Sequence, residues 1–113
     1  MSTSDRELLE LAAKAVGLNI KGYRVDIDDS FTHLVIGKKN TRERVNWNPL
    51  TDDGDALRLA VKLRLDIKGS MTTGNIRYVR NSPYTYAILD VDSYAATRRA
   101  IVRAAAEMGK AMK

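Results

Sequence analysis

Apolar residues recur along this chain in two different periods, and the switches between them predict its elements. From Ser4 to Val16 the spacing is helical. Leu8, Leu11, Ala12 and Ala15 fall on one face, and Arg6, Glu10 and Lys14 on the other. Ser4 and Glu7 form a capping box in which each side chain can satisfy an orphan backbone N–H, and Gly17 supplies a residue free to turn left-handed at the helix end. From Leu18 to Trp47 the pattern shortens to strands rich in β-branched and aromatic residues, over 23–27, 31–36 and 42–47. They are separated by Asp28-Asp29-Ser30 and Gly37-Lys38-Lys39-Asn40, which suit antiparallel hairpins. In the third strand Val45 and Trp47 alternate with Arg44 and Asn46, as expected for a sheet with one buried face.

The segment from Trp47 to Leu63 marks the passage from sheet to helix. Trp47 anchors the strand end, Pro49 keeps Asn48 out of helical conformation, and Asp52, Asp53 and Asp55 cap a second helix over 52–63. Ala56, Leu57, Leu59, Ala60, Val61 and Leu63 cover more than half its circumference, which makes it the expected most buried helix. A short strand is expected at 65–67, a Ser/Thr/Gly loop over 69–74, and a hairpin with strands at 76–80 and 84–89 around Asn81-Ser82-Pro83. Asp92 is the expected N-cap of a last helix over 93–111, with Tyr94, Ile101, Ala104, Ala105, Met108 and Met112 inward and Arg99, Arg103, Glu107 and Lys110 opposite. Single helices alternating with antiparallel strands predict an α+β fold, an antiparallel sheet with three helices, in one domain spanning 1–113. The alanine-rich last helix suits close packing within the domain or against another copy, and the sequence leaves the oligomeric state open.

Composition removes several chemistries. With no cysteine, thiol nucleophiles, disulfides and thiolate metal sites are excluded, and a single histidine cannot build a multi-histidine cage. No apolar run reaches the roughly 20 residues of a membrane span, so a soluble, intracellular protein with no membrane partner is expected. The net charge of +5 hides an asymmetry: residues 1–55 carry 8 basic and 10 acidic side chains, net −2, and residues 56–113 carry 11 and 4, net +7. A polyanion or an acidic protein is therefore the partner chemistry to test.

With Trp47-Asn48-Pro49-Leu50, the acidic cap Asp52-Asp53-Gly54-Asp55 and the tail TRRAIVRAAAEMG placed, and ELLELAAKAVG as a weaker block, the chain resembles the phage ABA sandwich domain family. The matching blocks cover about half of the chain; residues 18–46 and 66–88 carry none. The resemblance implies an α/β/α-type layered sandwich in a bacteriophage or prophage accessory protein of uncharacterised function. It implies no catalytic, cofactor or metal-binding residue.

The remaining candidates for chemistry have structural readings. Asp52, Asp53 and Asp55 could face Mg²⁺ or Ca²⁺, but their spacing is not that of an EF-hand loop and carboxylates in a first helical turn serve its dipole. Asp26, Asp28 and Asp29 are turn formers, and His33, in the strand FTHLVIG, has no nucleophile of recognisable context beside it. The Gly69–Gly74 loop lacks the Gly-Lys-Ser/Thr ending of a phosphate cradle. What remains is a basic, aromatic surface. Arg77, Tyr78 and Arg80 lie with Tyr84 and Tyr86 on one hairpin, a combination able to stack bases and meet phosphates, and Arg99, Arg103 and Lys110 line one side of the last helix. The expected activity is non-enzymatic binding of a host macromolecule, a host protein first and a nucleic acid as the alternative. Inhibition of a bacterial defence system, as by an anti-CRISPR, is its concrete form.

Overall fold

A computed structural model describes residues 4–69, 76–81, 84–89 and 93–112. The chain runs α1 (Asp5–Val16), β1 (Ile20–Val25), β2 (Phe31–Ile36), β3 (Val45–Trp47), α2 (Asp53–Lys62), β4 (Asp66–Gly69), β5 (Ile76–Asn81), β6 (Tyr84–Leu89) and α3 (Ser93–Ala111). Three helices and antiparallel pairing throughout make it α+β, as the pattern predicts. The strands divide into two three-stranded sheets, ordered β1-β2-β3 and β4-β5-β6. Helix α1 packs on β2, and α3 packs on α1, α2, β5 and β6. Among the described residues no helix is long and apolar enough to cross a membrane.

One arm of the capping box forms as read, Ser4 Oγ accepting from Glu7 N–H at 3.2 Å, while the Glu7 carboxylate accepts from the Ser4 hydroxyl; Gly17 closes α1 with φ 73°. The first strand begins and ends earlier than the pattern suggests, whereas the second matches it. Asp26 N–H donates to Ser30 O, the Asp26 carboxylate takes the Ile27 N–H, and Asp29 sits at φ 66°, so the chain is already turning where a strand was expected at residues 26 and 27. Likewise residues 42–44 belong to a loop. Thr41 Oγ1 donates to Lys38 O and accepts from Glu43 N–H, and the Glu43 carboxylate accepts from Lys38 N–H. Local side-chain bonds here replace ladder bonds.

Gly37 is needed for space. A Cβ there would overlap the Glu43 backbone carbonyl, because the β2–β3 loop folds back over it. Gly37→Ala should lower stability by about 2 kcal/mol, the usual scale of forced overpacking. A fall in the urea midpoint at unchanged slope would show it, and an unchanged midpoint would mean that the loop yields freely.

Burial corrects the expected ranking of helices. In α2, Ala56, Leu59 and Ala60 face the core, but Leu57 is 60% and Val61 68% exposed, because the helix has one covered side. The most enclosed helix is α3, in which Ala96, Ala100, Val102, Ala104, Ala105 and Ala106 are all buried within the chain. Its ends depart from the expected stripe: Tyr94 is 73% and Met112 47% exposed. The Asp92 cap, the loop at 70–74 and the turn residues Ser82 and Pro83 lie outside the described residues.

Candidate functional site

The aromatic and basic hairpin is present as β5 and β6, paired Arg77↔Ile88, Tyr78↔Ala87, Val79↔Tyr86, Arg80↔Thr85 and Asn81↔Tyr84. On α3, Arg103 and Lys110 are exposed and two turns apart, whereas the Arg99 guanidinium reaches Asp5 of α1 at 3.3 Å. Arg98 beside it is committed to structure: Nε donates to Leu50 O at 2.8 Å and the guanidinium pairs with Asp53 at 2.7 Å.

The acidic cap is likewise engaged. The Asp52 carboxylate accepts from Asp55 N–H at 2.8 Å, and that of Asp55 accepts from Asn48 N–H at 3.0 Å and from Arg58 at 2.8 Å. Among the described residues no three His, Asp or Glu side chains are arranged to hold a metal ion. In the first hairpin turn the hydroxyl and N–H of Ser30 both donate to Asp28 and hold its carboxyl below the usual carboxylate range. His33 is half-buried; its Nδ1 lies 3.1 Å from Thr32 Oγ1, and Nε2 is buried without a partner among the described residues. It borders a small polar niche of about 200 Å³ with Asn46, Asn48 and Thr51.

The feature that sequence reasoning missed is an apolar cleft of about 420 Å³ between the first sheet and α2, within the roughly 300–1,000 Å³ typical of ligand clefts. Ile36, Val45 and Trp47 form its floor, Leu59 its α2 wall, and Val16 and Leu18 its end below α1. Arg58 and Lys62 stand on its α2 side, and Asp55 is its one acidic lining residue. Register explains the opening. Leu34↔Trp47 is a closed rung, with Trp47 5% exposed, while Ile36↔Val45, next to the loop, leaves Val45 51% exposed. The loop joining Ile36 to Val45 carries Lys38, Lys39, Arg42 and Arg44, all exposed. The run Lys38-Lys39-Asn40-Thr41-Arg42-Glu43-Arg44 was the available signal, overlooked because it lies in the half of the chain whose net charge is negative.

No family model matches the chain, and no curated protein matches it. Among solved structures it is similar to the 2.0 Å crystal structure of a phage protein from Bacillus cereus, with 14% identity, a TM-score of 0.49, and coverage of 91% of this chain and 93% of that one.

Proposed function

We propose that this chain is a non-enzymatic phage or prophage accessory protein that acts by binding a host protein, with inhibition of a bacterial defence system, such as anti-CRISPR action, as its concrete form. The phage assignment rests on the sequence blocks around Trp47–Asp55 and in α3. The binding role is carried by one observation: the cleft beside Val45 is apolar, open and flanked by cations. The carboxylates nearest to it, Asp52 and Asp55, are engaged in a helix cap and an ion pair, which supports a binding rather than a catalytic reading. Affinity capture from lysates of several bacterial hosts should recover a specific partner with the native protein and lose it with Val45→Glu. Recovery of nothing above an unrelated basic domain of the same charge would overturn the reading.

Nucleic-acid binding is the second reading, favoured by the pairing of β5, which carries Arg77 and Arg80, with β6, which carries Tyr84 and Tyr86, and by exposed Arg103 and Lys110. It requires a gel shift at low salt that weakens steeply as salt rises and is reduced by joint substitution of Arg77 and Arg80. Absence of any shift with single- or double-stranded DNA and RNA removes it.

A further inference from the structure

We infer that the cleft receives a large apolar side chain from an acidic protein segment, an inference that rests on the binding role proposed above and names its partner class. The apolar requirement comes from the way the core ends. On the inward side of the first sheet the rung Leu34↔Trp47 is covered, but the next rung, Ile36↔Val45, is only partly covered, so Val45 and its neighbour Leu59 wall an unfilled extension of the core. An aliphatic or aromatic side chain entering there would leave water on both partners' apolar surfaces, the dominant favourable term in association.

The acidic requirement comes from the charges on the cleft lining and on the loop that leaves it. The loop that joins the two residues of the open rung carries Lys38, Lys39, Arg42 and Arg44 against one carboxylate, Glu43, which already accepts from Lys38 N–H. Lys62 adds a cation on the α2 wall, and Asp55 inside the cleft is held by Asn48 N–H and Arg58. A segment with Glu or Asp flanking its anchor is thus steered in and a basic one is repelled. A polyanion without an apolar anchor meets the rim but leaves the cleft unfilled.

Trp47 lines the cleft and is the chain's single tryptophan, so its emission reports occupancy directly. The experiment titrates the full chain with a peptide of about twelve residues, Glu-rich with a central Leu-Phe pair, an anchor format common in peptide recognition. Its counterparts carry Gln for Glu, Lys for Glu, or Ala for Leu-Phe, with oligo-thymidylate as a further arm. The acidic anchored peptide is expected to shift Trp47 emission saturably. Each counterpart and oligo-thymidylate should bind at least about tenfold more weakly, as should Val45→Glu and Lys62→Glu proteins with unchanged circular dichroism. Equal binding of the Gln or Lys peptide, an oligonucleotide that shifts Trp47 as well as the peptide does, or no saturable shift at all would overturn the inference. A host partner captured equally by native and Val45→Glu protein would overturn the cleft as the site while leaving the binding role standing.

Discussion

Replacing Gly109 with alanine should destabilise the protein by about 3 kcal/mol, at the upper end of overpacking costs. For a domain of this size that is a fall of roughly 12 °C in Tm. Helices α1 and α3 run side by side in the same direction, with Asp5 beside Arg99 and Lys14 Nζ donating to Met112 O at 3.0 Å. Their backbones approach so closely at Gly109 that a Cβ there would overlap Leu11 O and lie 2.8 Å from its carbonyl carbon. Both contacts are with backbone, so relief requires the helices to separate and opens the seam lined by Ala12, Ala13 and Ala105. Intrinsic propensity pulls the other way, because alanine is better than glycine inside a helix by about 1 kcal/mol. The sign of the measured change therefore decides between them. Gly54→Ala in α2 is the milder comparison: the nearest atoms to its Cβ are the side-chain ends of Asp52 and Arg58 at 3.2 and 3.3 Å, which need give only slightly, so its change should lie within about 0.5 kcal/mol of zero, the helix-propensity gain offset by any loosening of the Asp52 cap. Thermal melts of both variants test this directly, and a Gly109→Ala protein that melts higher would refute the close approach.

The same seam explains which parts of the fold were legible from sequence. Helix ends were readable because they depend on a few local residues, as in the Ser4–Glu7 box and the left-handed Gly17. The ranking of the helices by burial was not. Pattern reading weights Leu57 and Val61 above alanine, yet depth in this fold goes to the helix that others can approach closely, and the small side chains of α3 admit α1, α2 and the second sheet. Periodicity identifies a face but not how many partners will cover it. Side-chain chemistry also overruled strand propensity at residues 26 and 27 and at 42–44, where Asp26, Thr41 and Glu43 bond to nearby backbone.

Charge was legible in amount but not in placement. The excess of cations after residue 55 suggests a basic surface there, but Arg58, Arg98 and Arg99 reach back to Asp55, Asp53 and Asp5. Part of the asymmetry is thus complementarity between the two halves of one chain, and an exposed cationic cluster sits in the acidic half, on the loop from Lys38 to Arg44. Proximity in sequence could not pair residues 45 to 94 positions apart. The cleft has the same origin: its floor, wall and end come from four separate elements, α1, β2, β3 and α2, and the open rung follows from a loop that takes residues the strand pattern would have used.

Asn48→Ala should cost about 3 kcal/mol, since it removes two side-chain hydrogen bonds and leaves their backbone partners without them at about 1–3 kcal/mol each. The buried Asn48 amide donates to Thr32 O at 2.6 Å, and its carbonyl accepts from Leu50 N–H at 2.9 Å, tying β2 to the turn that leaves β3. Its own backbone N–H holds the Asp55 carboxylate, and its backbone O takes the N–H groups of Thr51 and Asp52. One residue thereby fixes the angle between the strand that carries Trp47 and the helix that carries Leu59, which are two walls of the cleft. Thr51→Ala is the matched control, because the Thr51 hydroxyl is 3.4 Å from Asn48 O and its loss should be within about 0.5 kcal/mol. Urea unfolding followed by circular dichroism gives the two values; if Asn48→Ala proved no more costly than Thr51→Ala, the turn would not be what holds strand and helix together. An Asn48→Ala, Asp55→Ala double-mutant cycle should be non-additive, since the two residues share one network. Because the same bonds set the walls, Asn48→Ala should also weaken the Trp47-reported binding of the acidic peptide under conditions where the variant is still folded, linking the stability of this turn to the shape of the site it builds.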